Sequence, residues 1–248
     1  MAELTKWRDG VLDRARLQKH ETLLDVGSGD GLIAFGALER GAGEVVFTDI
    51  SQDLLDECRR IATDLGVVDP CRFVLAPADD LSALEDESVD VVTTRSVLVY
   101  VRAKDRALAE FLRVLRPGGR ISLFEPINRL YRGFRDSYDL TPVSQETEKV
   151  WALYDQLQPR DSDPMLDFDE RDLVELAERV GFREVHLELR VDAIPATPRP
   201  WDVAARIAGN PNIPTLEEAI AETLPPRKPR DSSPTCGHSS RRDVAVCV

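Results

Sequence analysis

The stretch LLDVGSGDGLIAFGALERG, residues 23–41, limits what this chain can fold into more than any other. A short apolar run carrying an acid, Asp25, leads into Gly27, Gly29 and Gly31 at alternate positions. An apolar, alanine-rich stretch follows. This is the pattern of a buried strand, a tight turn and a helix. A glycine turn at such a place lets backbone approach a ligand that any Cβ would block.

The rest of the chain repeats the alternation. TLLDV (22–26), EVVFTDI (44–50), RFVLA (72–76), VDVVTTR (89–95) and ISLFEP (121–126) read as strands. Helices are predicted over 31–40, over 51–65 with Ser51 as N-cap, and over 104–115, where RPGGR stops the pattern. Further on, 144–157 and 170–181 read as helices, the second closed by Gly181; 182–192 reads as a strand and 215–224 as a short helix. Strands separated by helices imply an α/β fold: a doubly wound, mostly parallel sheet with helices on both faces.

Composition narrows the partners. With 248 residues and a formal net charge of −13, a polyanion would need a local basic patch against the global field, which disfavours nucleic acid. The longest apolar runs are too short to span a bilayer, so no membrane partner is expected. The first ten residues, MAELTKWRDG, show no secretory pattern. Cys58, Cys71, Cys236 and Cys247 form no C-x-x-C pair, which reads as reduced thiols in the cytoplasm. His20, His186 and His238 lie far apart, and no metal site is expected.

In an open parallel sheet, ligands bind beyond the carboxyl ends of the strands. The G-x-G-x-G spacing here differs from the G-x-G-x-x-G of dinucleotide folds and from the phosphate-cradling P-loop. Asp49, at the end of the second strand, lies 18 residues after Gly31. A carboxylate there can accept both hydroxyls of a ribose and would repel a 2′-phosphate. Singly, a glycine turn can be packing and a strand-end Asp a solvated acid; together they point to a nucleoside.

LLDVGSGDG followed by VVFTDIS resembles the class I S-adenosylmethionine-dependent methyltransferases, which have a Rossmann-like fold. APADDLSALEDESVDVVTTRSVLVYV (76–101) and EFLRVLRPGGRISLFEPI (110–127) continue the likeness, which covers residues 20–192. The resemblance implies S-adenosyl-L-methionine as cofactor and a place for each contact. Gly27, Ser28 and Gly29 would receive the methionine part, with Asp25 orienting its ammonium. Asp49 would hold the ribose hydroxyls and Ile50 would pack on the adenine. The Ala78 N–H would reach an adenine nitrogen, and Asp79 the exocyclic amine. Ser96 would offer its carbonyl to the ammonium, and Tyr100 would wall the site near the methyl group. Pro77 departs from the acid or amide usual before the alanine, which weakens the assignment of Asp79.

The same resemblance implies methyl transfer by in-line displacement to an acceptor that the sequence does not identify, with a small molecule favoured and no general base indicated. Two alternatives stay open: a nicotinamide-dependent oxidoreductase on a similar sheet, and a non-catalytic S-adenosylmethionine-binding protein. Residues 1–192 form the expected cofactor-binding domain, with 127–169 an insertion or lid and 193–224 an extension. Residues 4–17 and the insertion are the natural covers of the acceptor. Arg129, Arg132 and Arg135 could bind an anionic acceptor or be a solvated face. The tail 225–248 has a net charge of +3 and three prolines in its first five residues. A shifted reading frame can encode an amphipathic helix over this stretch, so a frameshift is one reading of the tail. The family's last antiparallel strand would then be missing, with DVAVCV (243–248) a partial substitute and 225–242 disordered. The oligomeric state is not indicated.

Overall fold

The computed structural model describes residues 2–130, 141–195, 200–207, 213–224 and 242–247. The chain divides into two compact units, Met1–Pro126 with Glu170–Glu188, and Ile127–Asp169 with Leu189–Cys247.

The first unit is built on a parallel sheet. Its strands are β1 (Thr22–Val26), β2 (Glu44–Asp49), β3 (Cys71–Leu75), β4 (Val89–Arg95) and β5 (Leu115–Phe124), in the order β3-β2-β1-β4-β5. The direction of strand succession reverses at β1, between β2 and β4. That makes the carboxyl ends of β1 and β4 the ligand crevice of such a sheet. Helices α1 (Ala2–Arg14), α2 (Leu32–Glu39) and α3 (Gln52–Asp64) share one core with the sheet, in which Leu12, Ala34, Ala37 and Leu55 meet Leu23, Val45, Phe47 and Val91. The alternate strand residues Leu24, Val46 and Val92 point to the opposite face and are also fully buried. There, α4 (Lys104–Val114) packs on β5 and on α6 (Glu170–Val180); α5 (Ser144–Leu157) lies in the second unit.

The strands β1 to β4 and the helices α2 to α4 fall within two residues of their sequence positions. Ser51 caps α3 as expected, its hydroxyl accepting the Leu54 N–H. Three expectations need correction. The Pro-Gly run 117–119 does not stand outside the sheet: β5 begins at Leu115, and the ladder with β4 shifts between Val89 and Val91. Gly118, at φ +82, absorbs this irregularity inside the strand. Residues 182–189 form no strand, and β6 starts only at Arg190 (Arg190–Pro195). The N-terminal segment is a helix of the packed layer. Its Gly36 contact is so close that a Cβ there would lie 2.5 Å from Arg8 Cδ, and Ser122 Oγ donates to the Val11 carbonyl. Only its first turns approach the ligand edge, where Trp7 lies 4.6 Å from Phe124 between ring centroids.

The second unit holds α5 (Ser144–Leu157), the single turn α7 (Trp201–Ala204), α8 (Leu216–Thr223) and a two-stranded antiparallel sheet of β6 with β7 (Arg242–Cys247). Val150, Ala205, Leu216 and Ala219 form its small core. Thr215 and Glu218 make a capping box at the start of α8. Within the DVAVCV segment, Asp243–Cys247 thus pair with β6 and not with the five-stranded sheet. Residues 225–241, where disorder is the expectation, lie outside the described residues. So do Arg132 and Arg135. Arg129 is engaged within its own unit, donating to the Leu166 carbonyl and lying 3.8 Å from Asp161.

Candidate cofactor site

The three glycines of the turn all have positive φ, +64 at Gly27, +55 at Gly29 and +77 at Gly31. Each is there for a different reason. A Cβ on Gly27 would lie 2.5 Å from Val97 Cγ2. One on Gly31 would strike the Phe35 ring at 2.5 Å and approach Cys58 Sγ at 3.2 Å. One on Gly29 would meet no protein atom within 4 Å. Gly27 and Gly31 therefore serve packing, whereas Gly29 keeps backbone open on the side where a ligand would lie.

Hydrogen bonds hold this turn against β2. The Ser28 N–H donates to the Thr48 carbonyl at 2.8 Å, and the Gly31 N–H to the Ser28 carbonyl at 2.8 Å. The Asp49 carboxylate accepts the Gly29 N–H through Oδ2 and the Ser51 N–H through Oδ1, both at 2.9 Å. Each oxygen keeps lone-pair capacity for a further donor. Beneath the turn, the Cys58 thiol donates to the Gly29 carbonyl at 3.3 Å. Burial pushes that thiol up to about 12, which makes it an inert support. Ser28 Oγ is buried and has no hydrogen-bond partner among the described residues.

Asp25 is 2% exposed. Its Oδ1 accepts the Thr93 hydroxyl at 2.8 Å, and the Ala34 N–H also donates to the carboxylate. Burial raises its carboxyl to about 7, against the opposing effect of these two donors and of the Arg95 charge. Arg95 stands two residues after Thr93, on the same face of β4.

On the β2 side, Ile50 is 78% exposed directly after Asp49. The Ala76 N–H donates to the Asp49 carbonyl, bringing the end of β3 alongside. Ala78 is buried and Asp79 half-buried in a turn closed by the Asp80 N–H on the Pro77 carbonyl. The loop beyond is tied to α4, because Glu110 accepts the Leu81 N–H and Arg113 donates to the Leu81 and Leu84 carbonyls. On the β4 side, Ser96 has φ +59, an uncommon conformation for a residue with a side chain. Tyr100, 54% exposed, ends the 3-10 turn Leu98–Tyr100. The structure therefore joins Asp25, Gly27, Ser28, Gly29 and Asp49 directly and sets Ser96 beside Gly27 through Val97. Ile50, Ala78, Asp79 and Tyr100 follow on the same edge. No hydrogen bond among the described residues links Asp79 or Tyr100 to the turn.

Sequence reading misses three participants. Arg95 and Cys58 carry no motif signal. Glu125 is visible only as an acid at the end of an apolar strand. It is buried, and its carboxylate accepts the N–H groups of Val97, Leu98 and Val99.

Residues 24–123 match the family described as Methyltransferase domain. Over this stretch the chain is similar to the class I S-adenosylmethionine-dependent methyltransferases. It is 29% identical over 184 residues to the ubiquinone/menaquinone biosynthesis C-methyltransferase of Idiomarina loihiensis, covering 72% of this chain and 73% of that one. It is 33% identical over 135 residues to the enzyme of the same name from Psychromonas ingrahamii. That match covers 54% of this chain and 53% of the relative, so the chain spans about half the length of several of its curated relatives. The fold is shared with the Haemonchus contortus phosphoethanolamine N-methyltransferase 2 solved with S-adenosyl-L-methionine. Its TM-score is 0.53 at 17% identity, over 76% of this chain and 38% of that one. The cofactor of this methyltransferase family is S-adenosylmethionine. Among the described residues, no helix is long and apolar enough to cross a membrane.

Proposed function

We propose that this protein transfers a methyl group from S-adenosylmethionine to a small-molecule acceptor. The observation that carries the reading is Gly29: its positive φ and the open space over its Cα make a cradle that a Cβ would fill, and its N–H is held by Asp49. The unpartnered Ser28 hydroxyl fits the same ligand. In this reading Gly27, Ser28 and Gly29 receive the methionine part, with Asp25, the Ser96 carbonyl and Arg95 around its charged end. Asp49 uses its remaining lone pairs for the ribose hydroxyls. Ile50 gives an apolar face to the adenine, Ala78 its N–H, and Asp79 a carboxylate for the amine. Tyr100 walls the side of the acceptor. When bound, the cofactor supplies a methyl group made electrophilic by its sulfonium, for in-line displacement. The protein's task is then orientation, which can supply about 7–11 kcal/mol in well-aligned systems.

The domain reading 1–192, with 127–169 as an insertion and 193–224 as an extension, belongs to this proposal. So does a cytoplasmic setting, in which Cys58 and Cys71 stay as free thiols. The net charge of −13 favours a small acceptor over nucleic acid. The names of the relatives make a carbon atom on a quinone-type ring the first acceptor to try. A screen with methyl-labelled S-adenosylmethionine over pools of small molecules tests the reading. Label appearing in a small product is expected. Binding without transfer to any pool member would favour a non-catalytic role.

A further inference from the structure

Glu125 follows directly on β5 and is 1% exposed. Its Oε1 accepts the Val97 and Leu98 N–H groups at 3.0 Å each and the Thr94 hydroxyl at 3.2 Å. Its Oε2 accepts the Val99 N–H at 3.1 Å. Burial raises its carboxyl above the ordinary range, and the three N–H groups oppose this. An apolar side chain could fill the same volume but would leave three buried donors without acceptors.

The segment held in this way begins at Ser96. The Ser96 N–H donates to the Phe124 carbonyl at 2.7 Å, so the consecutive residues Phe124 and Glu125 grip the chain on both sides of its positive φ. Such a conformation persists where its surroundings over-determine it. The next residue, Val97, presses on Gly27, where a Cβ would lie 2.5 Å from its methyl carbon. Any movement of 96–99 is therefore felt at the glycine turn.

We propose that Glu125 is a positioning residue: it fixes Ser96 and Val97 against Gly27 and so sets the affinity for the amino-acid end of the cofactor, leaving the adenosine end to Asp49 and Ile50. This role rests on the site reading proposed above.

The test is calorimetric titration of the full chain with S-adenosylhomocysteine and with 5′-methylthioadenosine, which has the adenosine but no amino-acid end. Wild-type protein is expected to bind both. Glu125→Gln keeps one oxygen for part of the donor set and turns an amide NH2 toward the rest. It is expected to bind S-adenosylhomocysteine about tenfold more weakly, the loss of one good hydrogen bond, with methylthioadenosine unchanged. Phe111→Leu, in the core of α4, controls for general destabilisation and is expected to leave the ratio of the two affinities unaltered. Equal weakening of both ligands in Glu125→Gln, or no weakening of either, overturns the positioning role while the site stands. Wild-type protein that binds S-adenosylhomocysteine but not methylthioadenosine overturns the division between the two ends. Wild-type protein that binds neither overturns the site itself. If Glu125→Gln does not fold, Glu125→Asp keeps the charge on a shorter arm. It must show the same selective loss, and an unselective one overturns the proposal.

Discussion

The Asp49 carboxylate accepts the Gly29 N–H at 2.9 Å, tying the end of β2 to the middle of the glycine turn. This contact gives one side chain two tasks. It shapes the turn from which Gly29 faces open space, and it brings an acceptor to the place where the ribose is proposed to lie.

Asp49→Ala removes both. The loss of charge-assisted hydrogen bonds to the ligand is expected to weaken S-adenosylmethionine binding by about 1.5–3 kcal/mol. The freed Gly29 and Ser51 N–H groups should lower the melting temperature as well. Calorimetry with unchanged affinity would remove Asp49 from the ribose role.

Gly27→Ala and Gly29→Ala separate packing from ligand access. Both force a side chain into positive φ, costing about 1–2 kcal/mol. Only at Gly27 does the new Cβ collide with Val97. Gly27→Ala is therefore expected to be the less stable of the two in denaturant unfolding. Gly29→Ala should fold yet lose cofactor affinity. Equal stabilities, or normal affinity in Gly29→Ala, would contradict the assignment.

Much of the sheet is legible in the sequence because fully buried parallel strands are continuous apolar runs with breakers at each end. Val45 to Phe47 is of this kind, and Val91 and Val92 are continued by the buried, β-branched Thr93 and Thr94. The Pro-Gly run before Arg120 misleads, because the same residues that stop a helix can be taken up by a bulge. Residues 182–189 mislead differently: alternation predicts a strand, but pairing needs a free neighbouring strand in register, which local pattern does not reveal. The site divides in the same way. Asp25, Gly29 and Asp49 are legible from motif spacing. Cys58, Arg95 and Glu125 act through partners that only the folded chain brings near, as with the Cys58 thiol on the Gly29 carbonyl.

Asp25 makes stability depend on pH. Its carboxyl rises from 3.8 to about 7 in the folded protein, so the folded state holds a proton that the unfolded chain releases. The stabilisation is complete below about pH 4 and is lost as pH rises through about 7, with a magnitude on the order of 4 kcal/mol. Relative to Asp25→Asn, wild-type protein without cofactor should thus lose stability between pH 5 and pH 8 in denaturant titrations. A difference between the two that does not change with pH would contradict this.

Arg113 anchors the loop after Ala78. It pairs with Glu110 and Asp86 and donates to the Leu81 and Leu84 carbonyls. Arg113→Ala is expected to cost about 2–3 kcal/mol of stability, since partly buried acceptors and a carboxylate lose their donor. Unfolding midpoints within error of wild type would show that the anchor is dispensable.

Titration of the wild-type chain with S-adenosylmethionine, alongside NAD, tests the cofactor assignment most directly. Saturable one-to-one binding of S-adenosylmethionine, and none of NAD, is the predicted result. No binding of S-adenosylmethionine, or binding of NAD in its place, would contradict the assignment of the glycine turn and Asp49 to this cofactor.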